Sequence, residues 1–525
     1  MADVQSRKGD CEIRAWRRSG GDGIILLTGP RVRYRLGEYC ATKCNVCCPL
    51  ETRTEVPVLS ARPQPNPSSA LPVPRETRRR GEGLARELTA ADGFAIVAGS
   101  VVGSGIFLVP GAIARDLSSL PEVLGIWAAG ALLTLFGALS LAEMGTMFPA
   151  AGGLYVYLRE AYGKPVAFLY GWGLASIIQT GTIATLAAGF TLYLSQLIPL
   201  SPLQQRLLAM VPILALTGFN LMSLHRAKLL QNLCNVAKLL GVAMLGVLLF
   251  WRGHVATLGA NWKIPVRSSP LEFGAALIAV LWAFEGWHVV SFTAGEFRSP
   301  QRDLPRSLLS GTLTVAAIYL GLNVAYYAVL SSHGIAGMPS AAAGAMQKAW
   351  GAGIVRVVSI LILTSILGAM NGMVLTGPRV YYAMARDRLF FPFLARTSEH
   401  SQVPVAAILT QGIWASLLTL TGNFEQLFTC VVFTAWIFYG LAVGGVIVLR
   451  IRYPQMHRTF RTPGYPVLPL LFVAAAGVVV WSTVASTPGH ALIGILLILT
   501  GWPFYFLFRA RSGREQPEPS AVEID

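Results

Sequence analysis

The sequence predicts an all-α membrane protein of about twelve transmembrane helices, and three observations carry that expectation: the weight of apolar residues, the length of the uncharged runs, and the placement of Lys and Arg. Of 525 residues, 54% are hydrophobic and only 13% are charged, far from the balance of an ordinary soluble domain. A helix needs roughly 20 mostly apolar residues to cross about 30 Å of hydrocarbon. Runs of that length recur between residues 94 and 508, and Phe94 to Ile113, Val123 to Ala142 and Pro165 to Ile198 hold no charge at all.

Taken in order, the spans fall at 91–115, 121–146, 164–197, 206–224, 228–251, 271–296, 306–331, 352–378, 403–422, 424–450, 465–486 and 490–508. The net charge of +16 invites a nucleic-acid reading. Lys and Arg do not gather on one face with interleaved aromatics, however, so no nucleic-acid partner is expected. They gather in alternate loops instead: Arg159 and Lys164; Arg226 and Lys228; Arg298, Arg302 and Arg306; Arg379, Arg386, Arg388 and Arg396; Arg450, Arg452, Arg458 and Arg461. The opposite loops are poorer, and this asymmetry places both termini in the cytoplasm of a multi-pass protein of the cell membrane. Between spans eight and nine, Val380 to Leu389 reads as an amphipathic surface helix in a solvated connector.

Three regions follow. Residues 1–88 are Arg-rich, Pro-rich from Pro63 to Pro74 and without sustained periodicity, which predicts a disordered cytoplasmic tail. Residues 89–510 form the transmembrane domain and 511–525 a cytoplasmic C-terminal tail. Residues 1–20 lack the apolar core of a secretory signal. Arg78, Arg79 and Arg80 anchor the first span against the membrane surface. Cys40, Cys44, Cys47 and Cys48 suggest a zinc site at first sight. Adjacent Cys47 and Cys48 are poor tetrahedral partners and no matching His follows, so neither a metal nor a cofactor is expected.

Two spans carry glycine interruptions. Span one reads Gly99-Ser-Val-Val-Gly-Ser-Gly-Ile-Phe, with Gly103, Ser104 and Gly105 about a dozen residues in, roughly 17 Å deep at 1.5 Å per residue. Close helix packing by small residues is one explanation. Span six reads Trp282-Ala-Phe-Glu-Gly-Trp287, with Glu285 and Gly286 at a similar depth from the opposite side. Interruptions at equivalent places in two five-helix halves point to the binding site of an inverted-repeat transporter. A broken helix exposes free amides and carbonyls, tolerable at that depth only against a ligand or cavity. Amides of Ser104, Gly105 and Ile106 suit a carboxylate. Carbonyls of Val101 and of Trp282 to Glu285 suit an ammonium. A zwitterionic α-amino acid carries both groups.

These residues resemble the amino acid–polyamine–organocation superfamily and, within it, the L-type amino-acid transporter-like permeases. The likeness covers about residues 88–510. It rests on Gly99 to Phe107 before Pro110 and Gly111, Ala142-Glu-Met-Gly-Thr-Met-Phe-Pro149 with Gly152, Gly153 and Tyr155, and Trp282 to Trp287. Glu296 with Pro300 and Pro305, Asn371-Gly372, Arg379, Tyr382-Ala-Met-Ala-Arg386 and Arg461-Thr-Pro-Gly-Tyr-Pro466 extend it. The resemblance implies the leucine-transporter-type fold, a five-plus-five inverted repeat with broken helices one and six, and alternating access at a central site.

Charges inside spans are functional hypotheses by default. Lys238 lies about ten residues into span five, and snorkelling to the edge would need a reach of roughly 13 Å, too far for its side chain. In sodium-independent relatives the matching lysine is similar to a built-in substitute for sodium, tying helix five to the break of helix one. Glu285 has two open readings, a carboxylate satisfied by backbone amides or a group that meets a proton or the substrate. Trp282 and Phe284 flank the break. Trp282 takes the place where the family has an aromatic closing over substrate, with ordinary packing as its alternative. Glu143 and Glu296 pair with loop arginines as structural or inner-gate elements. Asn323, Tyr326, Ser365 and Asn371 line the pathway or bond between helices, and His288 bonds between helices.

No metal cluster, HExxH or GxSxG arrangement is present in the sequence, so an enzyme is not expected. The expected activity is sodium-independent amino-acid exchange, with proton-coupled symport and a non-transporting amino-acid sensor as alternatives. A neutral substrate is the first expectation and a cationic one stays open. Animal relatives tether a glycoprotein heavy chain between spans three and four. Ser195 to Arg206 contains no cysteine, so no disulfide-tethered heavy chain is expected, and the lipid bilayer is the remaining partner.

Overall fold

The computed structural model describes residues 3–7, 10–14, 84, 86–338, 340–398, 403–421 and 424–514. Cys40, Cys44, Cys47 and Cys48, the Pro-rich stretch, Arg78 to Arg80 and residues 515–525 lie outside them. The chain divides into two units, Met1–Glu76 and Thr77–Asp525. In the first, Asp3–Arg7 and Asp10–Arg14 pair as antiparallel strands, with Val4 opposite Ile13 and Ser6 opposite Cys11, a pairing the composition of the tail did not suggest.

The second unit is a helix bundle. Nine of its described helices are long and apolar enough to cross a membrane, and a tenth span is the pair Ala90–Val101 and Gly105–Asp116, bent by 42°. Two shorter apolar helices, Pro270–Ala283 and Val405–Thr421, take the places of spans six and nine. Span two is Leu120–Met147, span three Lys164–Leu194, span four Pro202–Met222 and span five Leu224–Arg252. Span seven is Pro300–Val329, span eight Ile354–Thr376, span ten Phe424–Arg452 and span eleven Val467–Ser486. Span twelve joins Pro488–Leu499 to Gly501–Arg514.

Local chemistry sets where several of these begin. Spans one, two, four and six each start with a reciprocal capping box: Thr89 with Asp92, Ser119 with Glu122, Ser201 with Gln204, Ser269 with Glu272. Each satisfies two amides that the helix itself leaves unpaired. Packing then reveals a repeat: span one lies on span six, two on seven, three on eight, and four on nine. Pairing spans one to four each with the helix five places later is the arrangement two related five-helix halves produce.

Spans three, eight and ten are the most enclosed, with 78%, 72% and 72% of their apolar windows buried. Span five is only 28% buried and shows why. Gln231, Asn235, Lys238, Val242, Leu245 and Leu249 face inward at helical spacing, whereas Leu229, Leu233, Val236, Leu240, Met244 and Val247 are exposed. The lipid-facing stripe is apolar and the polar stripe is internal, the reverse of a water-soluble helix.

The segment after span eight corrects one expectation. Val380 to Leu389 is helical as far as Arg386 and exposes Arg386 and Arg388, but it is mostly not solvated: the helix Pro378–Arg386 continues from span eight and buries every residue from Pro378 to Ala385, and Leu389 is buried too. The Arg379 side chain is 1% exposed. Its guanidinium donates to Glu296 from Nε at 2.7 Å and from Nη2 at 2.9 Å, and also to the Leu375 carbonyl. Glu296 thus pairs with an arginine of the loop set, as expected, from the neighbouring element.

Candidate functional site

The two helix breaks face each other. Span one ends its first half at Val101 and restarts at Gly105. A Cβ at Gly105 would sit 2.6 Å from Ala283 Cα, so only glycine lets the two broken backbones approach. Span six turns at Gly286, whose φ is +107°, and continues as the 3-10 segment Val289–Glu296. Between them lies a cavity of ≈ 20 Å³, with Ser100, Val101, Gly103, Ser104, Gly105, Trp282 and Glu285 in its wall. Thr182, Leu186, Ala283 and Met373 complete it. Thr182 follows a π-helical stretch, Leu174–Ile178, in span three, a distortion often found at functional sites. That volume holds about one water.

The released backbone groups of span one divide by polarity. The carbonyls are taken. Lys238 Nζ lies 2.6 Å from both Gly99 O and Val102 O, and Ser365 Oγ donates to Val102 O at 2.9 Å. Val101 O accepts from Gly103 N at 2.7 Å and lies 2.9 Å from Tyr319 Oη, which is also 3.0 Å from Ala283 O. The amides are different. Those of Ser104, Gly105 and Ile106 find no acceptor among the described residues, and the buried hydroxyls of Ser100 and Ser104 have no partner there either. They open the second half of span one, where the helix dipole favours negative charge.

Span six offers the opposite polarity. Trp282 O is occupied by Glu285 N at 2.9 Å, but the carbonyls of Phe284 and Glu285 accept no hydrogen bond from any described residue. The Glu285 carboxylate accepts from Tyr439 Oη at 2.6 Å, and that hydroxyl lies 3.1 Å from His288 Nε2. All three residues are buried.

The structure therefore sorts the residues singled out from sequence. It brings Val101, Gly103, Ser104, Gly105, Trp282 and Glu285 to one cavity, with Lys238 behind the span-one break and Gly286 at the span-six turn. Two expectations need correction. The Val101, Trp282 and Ala283 carbonyls are already engaged, because the broken ends fold back on themselves and on Tyr319. Phe284 and Ile106 do not line the cavity: the Phe284 ring packs 6.1 Å from Trp127 and 5.0 Å from Tyr319, and Ile106 is wholly buried, contributing its free amide. Asn371 bonds between helices, to Gln231 at 2.7 Å and from Asn220 at 2.9 Å, and Asn323 donates to Tyr319 O. Tyr319 and Tyr439 escape sequence reasoning because neither is marked among its neighbours, Tyr319 being one of three tyrosines in span seven and Tyr439 standing in a run of apolar residues; Thr182 and Met373 are similarly unmarked.

Ion pairs close the arginine-rich end of the bundle. Glu143 accepts from Arg450 Nε at 2.9 Å and Nη2 at 2.6 Å, from Thr462 N at 2.7 Å, and lies 3.2 Å from Arg458. Glu296 and Arg379 form the second bidentate pair, a geometry strong for arginine and carboxylate. On the other side of the cavity, the Trp282 and Phe428 rings lie 5.6 Å apart.

Comparison with known proteins settles the lineage. A family model described as "Amino acid permease" matches residues 88–508. The chain belongs to the amino acid permease family. This permease is 32% identical to the serine/threonine exchanger SteT of Bacillus subtilis over 435 residues, 82% of this chain and 98% of that one. It is 31% identical to the human b(0,+)-type amino acid transporter 1, over 81% of the permease and 88% of the relative. With the human cystine/glutamate transporter the identity is 28%, over 81% and 85%. The permease is thus an all-α, multi-pass membrane protein of the amino acid–polyamine–organocation superfamily, as the motifs implied. Cys234 and Cys430 are free among its described residues.

Proposed function

We propose that the permease exchanges amino acids across the cell membrane by alternating access, independently of sodium. The observation that carries this reading is the division of the span-one break: a resident ammonium on its carbonyls and three unpaired amides on its other side. The amides of Ser104, Gly105 and Ile106 receive the substrate carboxylate. The open carbonyls of Phe284 and Glu285, with the Glu285 carboxylate, receive its ammonium. Lys238 supplies the positive charge that a bound cation would otherwise bring to Gly99 O and Val102 O, so no sodium is needed to hold the break. The names of the relatives, an exchanger and several amino-acid transporters, support the same class of activity.

The cavity is too small for an amino acid, so substrate enters only when one side opens. The Glu143–Arg450 and Glu296–Arg379 pairs are the barrier on the arginine-rich side, and the Trp282–Phe428 contact is the barrier on the other. A second reading, proton-coupled symport, draws on the buried Glu285–Tyr439–His288 chain beside the site.

Uptake of a labelled amino acid into proteoliposomes distinguishes them. Exchange predicts stimulation by unlabelled amino acid inside, no change when choline replaces sodium, and no collapse with a protonophore. Dependence on sodium overturns the assignment of Lys238, collapse with the protonophore selects symport, and binding without accumulation selects a sensor.

A further inference from the structure

A second cavity of ≈ 430 Å³ lies at the arginine-rich end of the bundle, lined by Lys164, Pro165, Asp387, Leu389, Tyr505 and Arg509. Its walls come from three distant stretches: the start of span three, the turn after Pro378–Arg386, and span twelve. The Asp387 carboxylate accepts from Tyr155 Oη at 2.8 Å and from Arg159 Nη1 at 2.5 Å, and the same guanidinium also pairs with Glu160 at 2.8 Å, outside the cavity lining. Lys164 and Arg509 are exposed and have no hydrogen bond or ion pair with any described residue. Lys164 and Arg509 therefore outweigh Asp387, the one carboxylate in the lining, and leave the cavity mouth net positive. Lys164 is also the first residue of its helix, after Gly163, which has no side chain to cap it, so the helix dipole adds to the positive potential.

The rest of the lining, Pro165, Leu389 and Tyr505, is apolar, and Tyr505 belongs to an aromatic cluster. Tyr505 packs 5.4 Å from Phe168, Trp172 stacks 4.5 Å from Phe504, and Phe390 lies 6.0 Å from Phe508. Phe391, Phe393, Phe504 and Phe506, whose rings adjoin this cluster, are exposed, as aromatic residues are at the boundary between membrane and water. A free phosphate would meet the two cations and leave this apolar wall uncovered. A glycerophospholipid meets both, with its phosphate at the cations and its acyl chains along the rings.

We propose that this cavity binds the headgroup of an anionic phospholipid, with Lys164 and Arg509 receiving its phosphate. The site is separate from the central cavity and does not depend on which amino acid the permease carries. It sits on the seam between span three, the span-eight extension and span twelve, so an occupied site ties these elements together.

Native mass spectrometry of the full-length permease with equimolar phosphatidylglycerol and phosphatidylcholine tests it. Two basic groups at the membrane surface favour the anionic lipid roughly 30-fold in retention. Lys164→Gln combined with Arg509→Gln is expected to bring the two lipids near parity, without lowering the melting temperature in phosphatidylcholine. Lys164→Gln alone, the safer variant for folding, should leave a preference of roughly 5-fold. A preference unchanged in either variant overturns the site. Displacement of phosphatidylglycerol by inorganic phosphate at equal concentration overturns the lipid assignment in favour of a free anion.

Discussion

Spans one and six both interrupt their helices beside the same cavity, yet the groups they release are paired in opposite senses. In span one the carbonyls of Gly99, Val101 and Val102 are held by Lys238, Ser365 and Tyr319, and the amides of Ser104 to Ile106 are left open. In span six the carbonyls of Phe284 and Glu285 are open, and an acidic side chain stands beside them, bonded to Tyr439. The same backbone device thus yields an anion-accepting half and a cation-accepting half. The side chains that close one set of backbone groups decide which half is which.

The comparison breaks most severely at Lys238. Lys238→Met removes the ammonium from two carbonyls inside the bundle; Val102 O keeps the Ser365 hydroxyl, Gly99 O loses its side-chain donor, and one unsatisfied buried acceptor costs about 1–3 kcal/mol. Exchange is expected to fall by roughly 10- to 100-fold, measured as trans-stimulated uptake in proteoliposomes after size-exclusion confirms a folded protein. Uptake within a few-fold of the parent would show that the span-one break is held without this lysine.

Glu285→Gln sharpens the other half. The amide keeps the shape and a bond to Tyr439 but removes the charge facing the substrate ammonium. Charge-assisted hydrogen bonds exceed neutral ones by about 1 kcal/mol, so the KM for exchange should rise roughly 5- to 10-fold. A KM equal to that of the parent would return Glu285 to a structural role, satisfied by Tyr439.

Much of this was legible before any coordinates. The spans could be read because a membrane demands long uncharged runs, and Lys238 because a charge inside such a run has no solvent to reach. The glycine breaks were legible because Gly103, Gly105 and Gly286 recur at matching depth in two halves. Which carbonyls remain open was not legible. Tyr319 and Tyr439 approach the breaks from spans seven and ten, and nothing in a uniformly apolar helix marks the inward face. Phe284 was misplaced for a related reason: a residue beside a break can point either way, and its ring found Trp127 and Tyr319. That Glu296 pairs with a loop arginine was legible, but not that the arginine is Arg379, which lies 83 residues away. The capping boxes were legible in principle, since each is a Ser or Thr followed three residues later by Asp, Glu or Gln.

Competition by substrate derivatives tests the paired half-sites most directly. Labelled amino-acid uptake is measured against the free amino acid, its methyl ester and its N-acetyl form. If the span-one amides take the carboxylate and span six takes the ammonium, the free amino acid competes and both derivatives fail. A methyl ester that competes as well as the free amino acid would contradict the assignment of Ser104, Gly105 and Ile106, and an effective N-acetyl form would contradict that of span six.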